Sequence, residues 1–424
     1  MRISKKVSLI LTIVLLSTIL MSGCSYSNTL GSATDEMLNP IFWSGTDDVI
    51  MTPEEIDIYN SKLLKDKDLQ LVDLVNADKT IRGYEVKKMI EHYSIYEECP
   101  YLGMEKISEQ DVANLTAATN KTKISPIVKV RYGIVTEPVN VRAYPTELAL
   151  TEDGVANGIQ SFDYFQLTHF RLGQGVLIYN TSLAGDYYFV QGSNYYGWVE
   201  ADHIALCSRA KFIDYLTCDD FLVTTELKDV IVGDQEMTIS MGTKFNLNID
   251  KVSLPTRDEE GTLVLKDADR PEIESRKGYM AYTTKNLYRL ALKQVGDRYD
   301  WGGISGHYDC SDFIMAVYSV FGINLPRDEI ASIDYNCVDL TVPSNESELI
   351  PGSILAMDGH YILYLGTIDG EIYGVHVIAE TYNNSKRLIK PYKTVVSSTS
   401  DLWRYGGTVT MRSTIYKGIN VKLK

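Results

Sequence analysis

Residues 309–326 constrain this chain more than any other stretch. From Phe313 the apolar positions Phe313, Ala316, Val317, Val320 and Phe321 recur at the spacing of one helix face. Gly322 stands where a left-handed C-cap would end that helix, and Pro326 forbids a restart. Asp309-Cys310-Ser311-Asp312 comes just before the stripe, so Cys310 is expected in the first helical turn, on the inward side. Unpaired N–H groups and the positive end of the helix dipole favour a thiolate there. The lead-in Tyr299-Asp300-Trp301-Gly302-Gly303 is rich in turn residues and lets backbone come close to the thiol.

Two histidines follow on apolar, strand-like runs. His360 opens Tyr361-Ile362-Leu363-Tyr364-Leu365, and His376 sits within Ile372-Tyr373-Gly374-Val375-His376-Val377-Ile378. Asp369-Gly370 between them signals a hairpin. A buried structural cysteine and two core histidines would leave the same letters. The chain has only six histidines, however, and two of them share one hairpin behind a helix-start cysteine. That order reads as thiol catalysis: Cys310 as nucleophile, His360 as base, His376 as the group that orients the base. No Cys-x-x-Cys or His-Glu-x-x-His spacing occurs, so no metal and no cofactor is expected.

The hairpin carries a register problem. Strand side chains alternate, so both histidines reach one thiol only from the same sheet face. A two-residue Asp369-Gly370 turn would set Leu363 against His376 and split them. A three-residue loop, Ile368-Asp369-Gly370, pairs Thr367 with Glu371 and Ile362 with His376, with positive φ at Gly370. A β-bulge elsewhere would serve equally.

The N-terminus reads as an export signal. Arg2, Lys5 and Lys6 precede an apolar core from Val7 to Met21, too short for a comfortable membrane span. Met21-Ser22-Gly23-Cys24 resembles a bacterial lipobox, which implies cleavage, lipidation at Cys24 and anchoring on the outer side of the cytoplasmic membrane. An ordinary signal peptide with an incidental cysteine is the plainer reading. Residues 25–45 are expected to be a tether. The net charge is −15, concentrated before the catalytic region: residues 25–278 hold 24 Lys+Arg against 41 Asp+Glu. Such a surface argues against nucleic acid as a partner. The remaining cysteines are too few for a disulfide scaffold, although Cys207 and Cys218 are close enough in sequence to pair.

Residues 46–125 read helical. Thr52-Pro53-Glu54-Glu55 is a start signal, and shorter helices are expected over Gly83–Tyr96 and Ser108–Ala118. This segment is too small for its own core and should pack on its neighbours. From Pro126 the pattern turns to strands, through Val139-Asn140-Val141-Arg142 and Tyr187-Tyr188-Phe189-Val190 to Tyr196-Gly197-Trp198-Val199. Residues 207–278 look like a further β module, with Gly233, Gly242 and Gly261 at turns.

Asp309-Cys310-Ser311, Leu325-Pro326-Arg327, Gly352-Ser353-Ile354-Leu355 and His360-Tyr361-Ile362-Leu363-Tyr364-Leu365-Gly366 together resemble the NlpC/P60 cysteine peptidases over about residues 280–424. These are papain-like cell-wall endopeptidases. The Gly-Trp-Val run is similar to bacterial SH3-like barrels. The resemblance implies an α+β architecture. A papain-like domain (279–424), with a helix-borne cysteine packed on an antiparallel sheet, follows a helical segment and two SH3-like β-barrels, 126–206 and 207–278. It implies Cys310, His360 and His376 as the triad, Tyr299 as an oxyanion donor, and Asp309 and Ser311 as holders of a free L-Ala amine. Asp312 stands where the family usually has Gly. The implied activity is hydrolysis of the γ-D-glutamyl–diamino acid bond in peptidoglycan stem peptides or muropeptides, at the cell envelope. The rivals are a non-catalytic wall-binding lipoprotein and an N-acetylmuramoyl-L-alanine amidase using the same three residues.

Overall fold

The computed structural model describes residues 27–95, 98–154 and 162–424. The expected signal segment and Cys24 lie outside the described residues. Cys310–Ser319 is a helix with Asp309 as its N-cap, the carboxylate accepting from the Asp312 amide at 3.0 Å. Every residue of the predicted apolar stripe is buried, and Gly322 has φ +81°. The helix lies on a seven-stranded sheet ordered Thr29–Leu30, Lys393–Ser398, Glu371–Ile378, His360–Ile368, Ile354–Met357, Lys417–Ile419, Cys337–Asp339. Phe313, Ile314, Ala316 and Val317 share a core with Leu363, Leu365, Val375 and Val377 from the central strands. Full burial of side chains of this size stabilises by about 1.5–3 kcal/mol each. That anchors the helix whose first residue is Cys310. This is a papain-like arrangement.

The hairpin solves its register by the second route. Ile368 pairs with Glu371, so the turn is the two residues Asp369 (φ +51°) and Gly370 (φ +81°), not three. Positive φ at both positions suits the right-handed twist of the flanking strands. The register then slips between Tyr364 and Gly366, and beyond this bulge at Leu365 Leu363 pairs with Val375. Continuing the ladder sets Ile362 against His376. The bulge thus supplies the odd residue that brings both histidines to one face.

Residues 29–43, expected as part of a tether, are docked instead. Thr29–Leu30 runs parallel to Val396 and Ser397 at the edge of the sheet. Leu30 and Met37 are buried, and Trp43 packs against Tyr288 and Tyr373. The apolar residues scattered through this polar stretch are what hold it.

Before this unit, helix Pro53–Lys65 begins with a full Thr52/Glu55 capping box, and Tyr59 and Leu63 join the same core as the Cys310 helix. A seven-stranded sheet runs in the order Gln166–Phe170, Val139–Arg142, Tyr196–Glu200, Tyr187–Gln191, Gly175–Thr181, Arg131–Val135, Ile204–Cys207. Trp198 packs beneath helix Gly83–Glu91, against Val86 and Ile90. Residues 221–277 contribute a five-stranded sheet and the hairpin Lys228–Val232/Gln235–Ile239. Cys207 and Cys218 are both free thiols.

Candidate active site

Cys310 is the first residue of its helix and half-buried. Its thiol sits against the backbone N–H of Tyr361, one residue beyond His360. His360 Nε2 meets His376 Nδ1 at 2.7 Å, and His376 Nε2 meets Ser397 Oγ at 2.9 Å. His376 and Ser397 are fully buried. With Nε2 committed to His376, Nδ1 is the ring nitrogen of His360 left for the thiol. The structure therefore joins two of the residues singled out from sequence, His360 and His376, sets the third, Cys310, against the residue that follows His360, and adds Ser397 behind His376.

The thiol is not pre-ionised. Burial, and next the Asp309 carboxylate, push Cys310 up to about 12, against the opposing pull of the Tyr361 amide, Arg327 and the Ser311 amide. The helix terminus was expected to favour a thiolate, but desolvation outweighs it here. Burial likewise holds His360 well below its ordinary value, helped by His376 and Arg404, and lowers His376 to about 3. The resting pair is a neutral thiol and a neutral imidazole.

Tyr299 lies beside Cys310 and Asp309, its ring near Phe162 and Tyr392. Burial raises its hydroxyl well above the ordinary tyrosine range, so it is a neutral donor. Asp309 and Ser311 are placed differently from what the resemblance implies. Asp309 Oδ1 accepts from the Asp312 amide (3.0 Å) and Ser311 Oγ (3.3 Å), while Oδ2 accepts from the Gly302 amide (3.1 Å) and the Arg327 guanidinium. A carboxylate offers about four acceptor sites, so Asp309 has none spare for a substrate amine. Arg327 also donates to Ser311 Oγ and, at 3.0 Å, to Thr168 Oγ1. The half-exposed carboxylate nearby is Asp328, which accepts from Tyr195 at 2.7 Å.

Strand Gln166–Phe170 of the barrel is the clasp on the other side. Gln166 donates to the Gly302 carbonyl (3.0 Å), Thr168 takes Arg327, and His169 lies 3.8 Å from Asp312. Arg171, just past the strand, pairs with Asp312 at 3.2 Å. Gly303 must lack a side chain, because a Cβ there would strike the His169 ring. Asp312, where a Gly is usual, is thus the docking point between helix and barrel. Sequence reasoning passed over Arg327 as a charge, although it stood in the quoted Leu-Pro-Arg run. It passed over Ser397 altogether, and no local pattern marks that serine. Among the described residues, Glu200, Asp202 and His203 form a three-ligand cluster with ligand atoms within 4.8 Å of one another, on the barrel and apart from the triad.

These features define a papain-like thiol site walled by a small β-barrel. Residues 296–389 match the model of the NlpC/P60 family, and residues 155–200 match that of the SH3 domain of SH3b1 type. The chain therefore carries an NlpC/P60 domain behind an SH3b domain. An NlpC/P60 endopeptidase from Photobacterium damselae subsp. piscicida has the same fold, with a TM-score of 0.69 at 16% identity, covering 92% of this chain and 95% of that one. An NlpC/P60 family protein from Bacillus cereus ATCC 10987 aligns at 16% identity with a TM-score of 0.46, over 68% of this chain and 99% of that one. No curated protein matches this chain in sequence.

The buried histidines make acid a stress on the fold. His169, His360 and His376 all have lowered values, mainly through burial. An unfolded histidine takes up a proton below about pH 6.5, and a folded one held below that does not. Stability contributed by such a group is lost as pH falls, by about 1.4 kcal/mol per pH unit for each histidine. Asp297, raised to about 6 by burial, works in the opposite direction over part of this range. The melting temperature is expected to fall from pH 6.5 to 4.5, and to fall less steeply in His376→Asn. Equal slopes for the two proteins, measured by calorimetry, would contradict the burial of a neutral His376.

Proposed function

We propose that this chain is a peptidoglycan stem-peptide hydrolase, cleaving the γ-D-glutamyl–diamino acid bond by a Cys-His-His thiol mechanism. The observation that carries the reading is the continuous chain from His360 Nε2 to His376 Nδ1, beside a helix-start cysteine held at the Tyr361 amide. His360 takes the thiol proton as Cys310 Sγ attacks the γ-glutamyl carbonyl. The neutral Tyr299 hydroxyl donates to the developing oxyanion. His360 then gives its proton to the leaving amine, and the thioacyl intermediate is hydrolysed by a water that His360 deprotonates. The fold of the Photobacterium endopeptidase and the matched NlpC/P60 segment support the hydrolase class.

The finer reading is a preference for stems with a free N-terminal L-Ala. The barrel strand closes one end of the site, and with Asp309 saturated the amine would meet Asp328, held by Tyr195. Such stems are trimmed muropeptides, so the role is turnover more than attack on intact wall. We also propose that residues 207–278 act as a second SH3-like module and that Cys24 carries a lipid anchor outside the cytoplasmic membrane. Acetylating the amine of an L-Ala-γ-D-Glu-diamino acid tripeptide is expected to lower kcat/KM by roughly tenfold or more, since a charge pair is lost. Equal cleavage of free and capped stems would remove the amine preference while leaving the hydrolase assignment standing.

A further inference from the structure

We infer that Ser397 is a positioning residue: its hydroxyl is the terminal acceptor of a Cys310–His360–His376–Ser397 relay and sets the tautomer that leaves His360 able to act as base. This rests on the thiol-hydrolase reading above. The chain of contacts is His360 Nε2 to His376 Nδ1 at 2.7 Å and His376 Nε2 to Ser397 Oγ at 2.9 Å, with His376 and Ser397 wholly shielded from water. A neutral imidazole has one N–H and one lone pair, so the chain has a direction. If Ser397 donates to Nε2, His376 must donate from Nδ1. His360 then receives at Nε2 and carries its own proton on Nδ1, facing a thiol it cannot deprotonate. If Ser397 accepts instead, His376 Nε2–H points at it and His376 Nδ1 receives from His360 Nε2–H. His360 Nδ1 is then a free lone pair.

Only the second direction survives the proton transfer. When the Cys310 S–H proton moves to His360 Nδ1, a thiolate and an imidazolium form and no other bond changes. The imidazolium must donate from Nε2, which forces His376 to accept at Nδ1 and to hold its proton on Nε2. That proton lies in a dry interior and Ser397 Oγ meets it. The serine is kept there by its strand: Ser397 pairs with Gly374 on one side and, through the docked N-terminal strand, with Leu30 on the other. A side chain without an acceptor at 397 would leave the His376 Nε2–H buried and unsatisfied in the charged state.

The test joins a spectroscopic readout to a kinetic one. In the 15N-histidine-labelled wild-type protein above pH 7, His376 is expected to show the Nε2–H tautomer. Ser397→Val, which lacks an acceptor and matches the shape of the Thr variant below, is expected to lose that preference and to lower kcat roughly ten- to a hundredfold with KM unchanged. Ser397→Thr restores both. The rate of Cys310 alkylation by iodoacetamide should fall in Ser397→Val in parallel with kcat, which reads the relay without any peptide substrate. An Nδ1–H tautomer at His376 in the wild type, or unchanged alkylation in a folded Ser397→Val, overturns the inference. Should Val not fold, Ser397→Ala takes its place with the same expectations. Failure to cut stem peptides with the tautomer and alkylation results intact would count against the substrate assignment and not against the relay.

Discussion

Cys310→Ala is expected to lower hydrolysis of a tripeptide stem by roughly four to six orders of magnitude, because no other group can form the thioacyl intermediate. His360→Ala should do nearly the same, and the double variant should be no worse than either single one, as expected for groups that act as a unit. His376→Asn should lose less, since an amide oxygen can still receive His360 Nε2–H. The fold should tolerate these changes differently. Ala suits the first turn of a helix, so Cys310→Ala keeps its melting temperature. Turnover of either Ala variant within tenfold of wild type, on product mass spectra corrected for carry-over, would displace Cys310 and His360 from their roles.

The largest loss of stability should come from Arg327. Its side chain is buried between Asp309, Ser311 and Thr168, and it is the only cation bonded to the Asp309 carboxylate among the described residues. Arg327→Met leaves that carboxylate charged, capping the helix and without its counter-ion. Breaking a buried pair in this way typically costs about 3–5 kcal/mol. Activity should fall too, because Asp309 fixes both the Gly302 turn and the helix start that bears Cys310. Arg327→Met combined with Asp309→Asn should recover much of the stability, since no unpaired charge then remains, but not the activity. Denaturant unfolding decides this. A loss under about 1 kcal/mol for the single variant would contradict a stabilising Arg327–Asp309 ion pair.

How much of this was legible in sequence follows from how local each feature is. The Cys310 helix, its cap and its buried face depend on spacing within a dozen residues, and the Thr52 capping box on four, so both could be read directly. The hairpin was half legible. Asp369-Gly370 signals a two-residue turn, while the shared face of the histidines demands an odd residue. Reasoning resolved the conflict by lengthening the loop, and the chain resolves it with a bulge at Leu365. The docked N-terminal stretch was hidden because Leu30, Met37 and Trp43 have no periodicity; they are placed by the sheet edge and by Tyr288 and Tyr373. Asp309 was read as a free acceptor because its partners come from Arg327 and Gly302, and only the fold counts lone pairs. Ser397 was invisible for the same reason. The thiolate expected at the helix terminus failed on burial, a quantity that no local pattern carries.

The measurement that bears most directly on the account is mass analysis of the products from a free L-Ala-γ-D-Glu-diamino acid stem and from the same stem linked to muramic acid, each incubated with wild type and with Cys310→Ala. The account predicts L-Ala-D-Glu and a fragment beginning at the diamino acid from the free stem with the wild type, and neither from Cys310→Ala. Release of the intact stem from the muramoyl group would instead identify an amidase, and products of equal amount from the two proteins, or from neither, would contradict a Cys310 stem-peptide hydrolase.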